Sequence, residues 1–425
     1  MGYTRRMMLA PTDRALAERL FADLRELGFD GVGITRDSYG PGESAALSII
    51  DHAARAHGLA TERDAAANLV VTLPGFNPAL PALSCGSHLD SVPHGGNFDG
   101  AAGVIAGLLA LIALRDEGVR LPRSIRLYGL RGEESAAFGR AYTGSSALFG
   151  RLSATDLDLR HAVTGRTLRE AMRDVGAEVG RITRGEVLLD PASLSGWLEL
   201  HIEQGPVLDT RGIPLAAVTG LRGNVRHREV VCLGEAGHSG AVPRGLRHDA
   251  VFAVAELLHR MDAHWQAFLD QGEDLVVTTG VIGTDPSEHA IARIPGKARF
   301  SFEARSENPA TLEAFYAVFE AECRAVGAEK SVRFETGPRL DTAPAVMDRA
   351  LVECIRAAIR RLGLPDEPMP SGAGHDSAVF ANAGVPSAMV FVRNAHGSHN
   401  PDEAMGMDDF MQGVDVLRQA LVAAG

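Results

Sequence analysis

Four short apolar runs, at 82–85, 125–130, 197–200 and 388–392, are each followed within a few residues by a polar, chemistry-bearing group. Runs of that length and composition read as β-strands. The segment 100–117 is apolar and alanine-rich throughout, which predicts a buried helix with Asp99 near its N-cap. Ahead of it, Leu16, Leu20, Phe21, Leu24 and Leu27 recur at helical spacing, and a second helix is expected over 43–57. A strand near 68–72 and the loop Pro74-Gly75-Phe76-Asn77-Pro78 complete that region.

The pattern changes between 217 and 334. Strand segments at 229–233, 275–282 and 298–304 alternate with amphipathic helices at 249–269 and 309–326. That order fits a small α+β unit inserted into a larger α/β domain. A helix around 350–362 and the strand at 388–392 then return to the first domain. The expected division is therefore a discontinuous α/β domain, 1–216 with 335–425, and an inserted unit, 217–334. No internal repeat or low-complexity tract interrupts the pattern.

At 425 residues the chain suits two domains, and 45% hydrophobic with 23% charged residues is an ordinary globular composition. A net charge of −12 speaks against a nucleic-acid surface, which needs a concentrated basic face. No apolar run approaches the ~20 residues of a membrane helix. Arg5 and Arg6 are followed by too short an apolar stretch for a secretory signal. Cys85, Cys232, Cys323 and Cys354 form no CxxC pair, so buried free thiols and a reducing cytoplasm are expected.

The candidate chemistry sits where the strands end. His88-x-Asp90, Asp99, Glu133-Glu134, His201 and His399 supply enough imidazole and carboxylate for two metal ions. Side chains at the carboxyl ends of strands in an open α/β sheet meet in one crevice. Strand alternation puts His88 and Asp90 on one side, where the carboxylate can fix the imidazole tautomer. The glycine-punctuated turn 92–100 can bring Asp99 back beside His88, and its two oxygens suit it to bridge two cations. Adjacent carboxylates repel unless a cation neutralises one, so Glu134 is expected to ligate and Glu133 to remain free as a base. Two metals about 3.5–4 Å apart lower the pKa of a bridging water toward ~7, and Glu133 could then pass its proton to a leaving nitrogen. An isolated EE pair is usually a solvated surface, and a lone His-x-Asp usually a structural pair. Repetition at successive strand ends is what favours the metal reading.

The runs GSHLDSVPHGGNFDG (86–100), GEES (132–135), LELHIEQG (198–205), GEAGHSGAVPRGLRHDA (234–250), SGAGHDS (371–377) and GSHNPDE (397–403) span nearly the whole chain. In that order they resemble the M20 family of metal-dependent amidohydrolases. The phrase LELHIEQGPVL is similar to its hydantoinase/carbamoylase branch, which holds N-carbamoyl-L-amino acid hydrolases, allantoate amidohydrolases and ureidoglycolate hydrolases. The resemblance implies one metal at His88, Asp99 and His201 and another at Asp99, Glu134 and His399, the ions being zinc, manganese, nickel or cobalt. It implies Glu133 as general base and Asp90 as the partner of His88. It also implies a catalytic domain with a mostly parallel mixed sheet flanked by helices, and an inserted lid that makes a homodimer. His238 matches a lid histidine offered to the partner subunit's active site, where it can stabilise an oxyanion. Gln204 matches a residue facing the ureido or amide group of the substrate, and Arg305 the arginine that clamps its carboxylate.

Three positions depart from the family. His289 and Ala292 stand where asparagines are usual, and His94 where asparagine or glycine is common. Alanine cannot donate to a substrate carboxylate, so His289 is placed among the substrate contacts of an altered acid-binding pocket. The expected function is hydrolysis of a C–N bond in a small N-carbamoyl or ureido acid. An N-acyl amino acid deacylase or dipeptidase of the same superfamily is the alternative, and a non-catalytic metal-stabilised binding protein the remote one.

Overall fold

The structure, a computed structural model, describes residues 11–425; the arginine pair at 5 and 6 lies outside them. Two compact units emerge. The larger takes the described residues up to Thr219 together with Val346–Gly425, and the smaller takes Gly220–Ala345.

In the larger unit, helices α1 (Pro11–Gly28) and α2 (Pro41–Ala56) precede β1 (Ala60–Arg63), β2 (Leu69–Leu73) and β3 (Ala82–His88). Helix α3 (Ala101–Asp116), β4 (Ile125–Leu130), β5 (Leu194–Ile202) and β6 (Leu215–Leu221) follow. The sheet runs β1-β2-β4-β3-β5, then the strand Ser387–Val392, then β6. Pairing is parallel through β4, β3, β5 and 387–392, and antiparallel toward both edges. The mixed α/β class expected from the sequence is thus present, with its parallel part confined to the four strands that carry the polar ends.

Helix α3 is buried from Ala101 to Leu114 on every face, as a helix apolar all round must be. Its neighbours α1, α2 and the C-terminal helix Met407–Ala424 share that core. The N-cap of α3 is Gly100, not Asp99: Gly100 adopts φ +66°, and the Asp99 carboxylate is turned to imidazoles instead of backbone N–H groups. Between 143 and 183 four short helices occupy a stretch where no element was expected, and β1 was likewise unforeseen.

The smaller unit is an antiparallel sheet with the helices Ala250–Asp270 and Pro309–Lys330 packed against it. Its central pair is β7 (Gly223–Leu233) and the strand Lys297–Ser306. Phe302 stacks on Phe319 at 4.0 Å within a core of Phe300, Phe315 and Leu257. The unit extends beyond the expected end at 334, because Leu340–Thr342 pairs with β7 at Arg226 to Asn224. The single strand expected over 275–282 is two pieces, Val276–Thr278 and Ile282–Gly283, each bonded to Lys297–Ser306. Cys85, Cys232 and Cys323 are buried free thiols, whereas Cys354 is only partly buried. Among the described residues no helix is long and apolar enough to cross a membrane.

Candidate metal centre

Parallel register puts four strand ends side by side: His88 pairs with Leu130, Cys85 with Leu198, and His201 with Phe391. His88 and His201 therefore emerge at one edge, beside the Glu133-Glu134 turn after β4 and the loop after Val392. Gly100 closes the ring. A Cβ there would lie 2.5 Å from the His88 imidazole, so only glycine lets the turn bring Asp99 this close.

The imidazoles of His88 and His201 are each aimed by their second nitrogen. His88 Nδ1 lies 3.3 Å from Asp90 Oδ1 and 3.2 Å from the Asp90 carbonyl, leaving Nε2 facing Asp99 Oδ1 at 3.5 Å. His201 Nδ1 lies 2.9 Å from the Ile202 carbonyl, which places its hydrogen there and leaves Nε2 3.2 Å from the same Asp99 oxygen. His399 Nε2 stands 3.5 Å from Asp99 Oδ2 and 3.4 Å from Glu134 Oε1. Asp99 thus offers one oxygen to each of two trios, His88–Asp99–His201 and Asp99–Glu134–His399.

The donor set fits divalent ions. Ligand atoms about 2.0–2.1 Å from a tetrahedral ion lie about 3.3 Å apart, and the separations here run from 3.2 to 3.5 Å. Imidazole nitrogen with carboxylate oxygen is a set that zinc, manganese, cobalt and nickel all accept. Glu133 belongs to neither trio; its Oε2 is 4.0 Å from His88 Nε2.

Electrostatics follow from crowding. Burial pushes the Glu133 carboxyl well above its usual range; His88 opposes the shift, and Glu134, Asp376 and Asp90 add to it. Burial acts the same way on Asp99, but the neighbouring imidazoles of His201, His399 and His88 outweigh it and hold that carboxyl well below the usual range. His399, half exposed at the mouth of the site, is raised to about 10 by Asp99 and Glu134.

Asp90 does more than hold a tautomer. Its Oδ1 accepts the Glu133 N–H at 3.1 Å, while Oδ2 accepts the Glu134 N–H at 3.0 Å and the Ser38 hydroxyl at 2.6 Å. Gln204, at φ +64°, donates through Nε2 to Asp99 Oδ2 at 2.7 Å, and its buried Oε1 has no partner among the described residues. The structure therefore brings Gln204 to the centre.

The other sequence-predicted contacts belong to the smaller unit. His238 is exposed on the two-residue strand Gly237–His238, its Nδ1 accepting the Gly240 N–H at 3.2 Å. His289 is exposed, with Nε2 2.7 Å from Thr284 Oγ1. Arg305 is partly buried and bonded to Glu303 at 3.1 Å. His94, in the larger unit, is exposed and lies 2.9 Å from Asp30.

Several supporting residues escaped sequence reasoning. Glu199, His201 and His375 form a third close trio. Glu199 accepts from Ser87 Oγ at 2.8 Å, from Ser377 N at 3.0 Å and from Ser377 Oγ at 2.7 Å. Its oxygens are thus committed to holding β3 and the 376–382 helix on β5, which makes it an anchor and not a further ion site. The signal for Glu199 was its place two residues before His201, on the same face of the strand.

Residues 85–423 match the model of peptidase family M20/M25/M40. The chain is 32% identical over 409 residues to an N-carbamoyl-L-amino acid amidohydrolase of Geobacillus stearothermophilus, covering 94% of this chain and 96% of that one. It is 30% identical over 407 residues to the allantoate amidohydrolase of Escherichia coli (strain K12), covering 95% and 96%. A crystal structure of a hydantoinase/carbamoylase family amidase from Burkholderia multivorans superposes with a TM-score of 0.87 at 26% identity, over 97% of each chain.

Proposed function

The chain belongs to peptidase family M20/M25/M40, and from that premise we propose that it is a metal-dependent amidohydrolase cleaving the non-peptide C–N bond of a small N-carbamoyl or ureido acid. The observation that carries the reading is the placement of Asp99 between two ligand trios, with the uncommitted carboxylate of Glu133 beside them.

His88, Asp99 and His201 would hold one divalent ion, and Asp99, Glu134 and His399 the other. Bound there, the pair supplies Lewis acidity and lowers the pKa of water toward ~7. Glu133 takes a proton from the attacking water and returns it to the departing nitrogen. Asp90 keeps His88 in its ligating tautomer and fixes the Glu133-Glu134 backbone. Gln204 presents its unpartnered Oε1 to the N–H groups of a ureido substrate. Water adds to the carbamoyl carbon and one C–N bond breaks, releasing an amine and a carbamic acid. The carbamic acid then falls apart to carbon dioxide and its own nitrogen, so that ammonia, carbon dioxide and the free amine result.

Arg305 and His289 are assigned to the acid end of the substrate. His238 is assigned to the oxyanion of a partner subunit's site, which makes the active form a homodimer. Three buried thiols without a disulfide favour a reducing cytoplasm. The acyl-amino-acid deacylase or dipeptidase reading rests on His289 and Ala292, which stand where asparagines are usual, the alanine bringing no donor to the acid-binding segment. A purely binding role is disfavoured because Glu133 and the five proposed ligands, His88, Asp99, Glu134, His201 and His399, are all present in the chain.

The test is ammonia release by the manganese- or zinc-loaded protein from N-carbamoyl-L-amino acids, allantoate and ureidoglycolate, with amine release followed from N-acetyl amino acids. Chelator-sensitive ammonia release supports the proposal. Amine release from acetyl substrates alone would replace it with the deacylase reading.

A further inference from the structure

The loop that delivers His399 carries a second device. Ser398 Oγ lies 2.6 Å from Asp99 Oδ2 and 2.6 Å from Glu403 Oε2. Glu403 Oε1 accepts the N–H groups of Phe98 at 2.8 Å and Asp99 at 3.2 Å. Glu403 therefore grips the Asp99 backbone with one oxygen, while its other oxygen and Asp99 Oδ2 flank the Ser398 hydroxyl, whose single hydrogen goes to one of them at a time. The carboxyl is buried, and it fits because residue 96 is glycine: a Cβ there would fall 2.1 Å from Glu403 Cδ.

The loop itself is held in an unfavourable shape. His396 and His399 adopt φ of +66° and +60°, a region costly to residues with a Cβ. Asn394 Nδ2 donates to the Gly397 carbonyl at 2.7 Å, and Asn400 Nδ2 to those of His396 and Ser398 at 2.9 and 3.1 Å. The bond from Ser398 to Asp99 ties this braced loop to the turn that carries the bridging carboxylate.

The two oxygens of Asp99 are treated differently. Oδ2, the one facing His399, receives both Ser398 and Gln204. Oδ1, the one facing His88 and His201, receives neither.

We propose that Ser398 and Glu403 are positioning residues for the ion on the His399 side, fixing Asp99 Oδ2 and the loop of His399 at ligating separation. The inference rests on the two-ion reading above. Affinity for that ion depends on the pair, and affinity for the ion between His88 and His201 does not depend on Ser398. A glutamine at 403 can replace the carboxyl, since its carbonyl still accepts the two backbone N–H groups and its amide donates to Ser398 Oγ.

The experiment is a calorimetric titration of the metal-free full-length chain with zinc, using His399→Ala to identify the step that belongs to the second ion. Ser398→Ala and Glu403→Ala should weaken that step by about 10–100-fold. Ser398→Ala should leave the first step unchanged, and Glu403→Gln should restore the second. Melting of the metal-free variants is read alongside. An unchanged second step, equal losses at both steps in Ser398→Ala, or a Glu403→Gln protein as weak as Glu403→Ala with a lowered melting temperature would overturn the inference. A wild-type chain that binds a single ion would instead overturn the two-ion reading itself, and the inference with it.

Discussion

His201 and His238 show how differently the two units hold their functional side chains. His201 is 1% exposed, with Nδ1 on the Ile202 carbonyl, Nε2 on Asp99 and its ring 4.3 Å from that of His375. His238 is exposed on a two-residue strand, and Gly240 N–H is its hydrogen-bond donor. Asp90 and Asp99 likewise make several bonds each in the larger unit, whereas His289 bonds to Thr284 in a solvent-exposed segment. The proposed ligands His201 and Asp99 are thus fixed by several partners each, whereas His238 and His289 stand in solvent, and any ordering they undergo on binding substrate would be a cost drawn from binding energy.

The sharpest way to break this contrast is at Asp99. Asp99→Asn should abolish turnover and the rise in melting temperature that zinc confers, because both trios lose their shared carboxylate; differential scanning fluorimetry with and without zinc reads both effects. Glu133→Gln should lower kcat by about 10²–10⁴-fold while leaving metal content and KM nearly unchanged, as expected for a base outside the ligand set. On the other side of the comparison, His238→Ala should lower kcat by up to about 10²–10³-fold, yet leave the melting temperature unmoved. A large loss of stability in that variant would show that His238 is held more firmly than its exposed position implies.

The smallest effect concerns the buried charges of the larger unit. Burial raises the Asp64 carboxyl to about 6, against hydrogen bonds from Asn68 and Ala66. Between its unfolded value, about 3.9, and about 6 the native chain holds the extra proton. Stability contributed by that group is therefore present below the window and is lost as pH rises through it. Melting temperatures measured from pH 4 to 7, a range set by about those values, should fall less steeply in Asp64→Asn than in the wild type.

The same contrast explains what could be read in advance. Strand ends carrying His88, Glu134 and His201 announce themselves because an apolar run stops at a polar residue, a pattern visible without any partner. The helix after Asp99 was legible from its apolar content, but its cap was not. Gly100 and not Asp99 occupies that place, because the carboxylate has stronger partners in three imidazoles. Ser38 gave no signal, and Ser398 and Glu403, although inside the run 397–403, gave none of the residue they act on, since only the folded loops bring the partners near: Ser38 and Asp90 are 52 positions apart, and Glu403 and Asp99 are 304 apart. In the smaller unit the two long helices were read nearly to their ends, whereas the strand expected over 275–282 was not. The run stops after Thr278, and Val281, which turns its N–H to Ser301 Oγ, leads into the separate piece Ile282–Gly283.

The most direct test of the central claim is the metal content of the purified wild-type, Glu133→Gln and Glu134→Gln proteins by elemental analysis after zinc loading. A dinuclear centre with Glu134 as ligand and Glu133 as base predicts two ions per chain in the wild type and in Glu133→Gln, and one in Glu134→Gln. One ion per wild-type chain, or loss of an ion on changing Glu133, would contradict it.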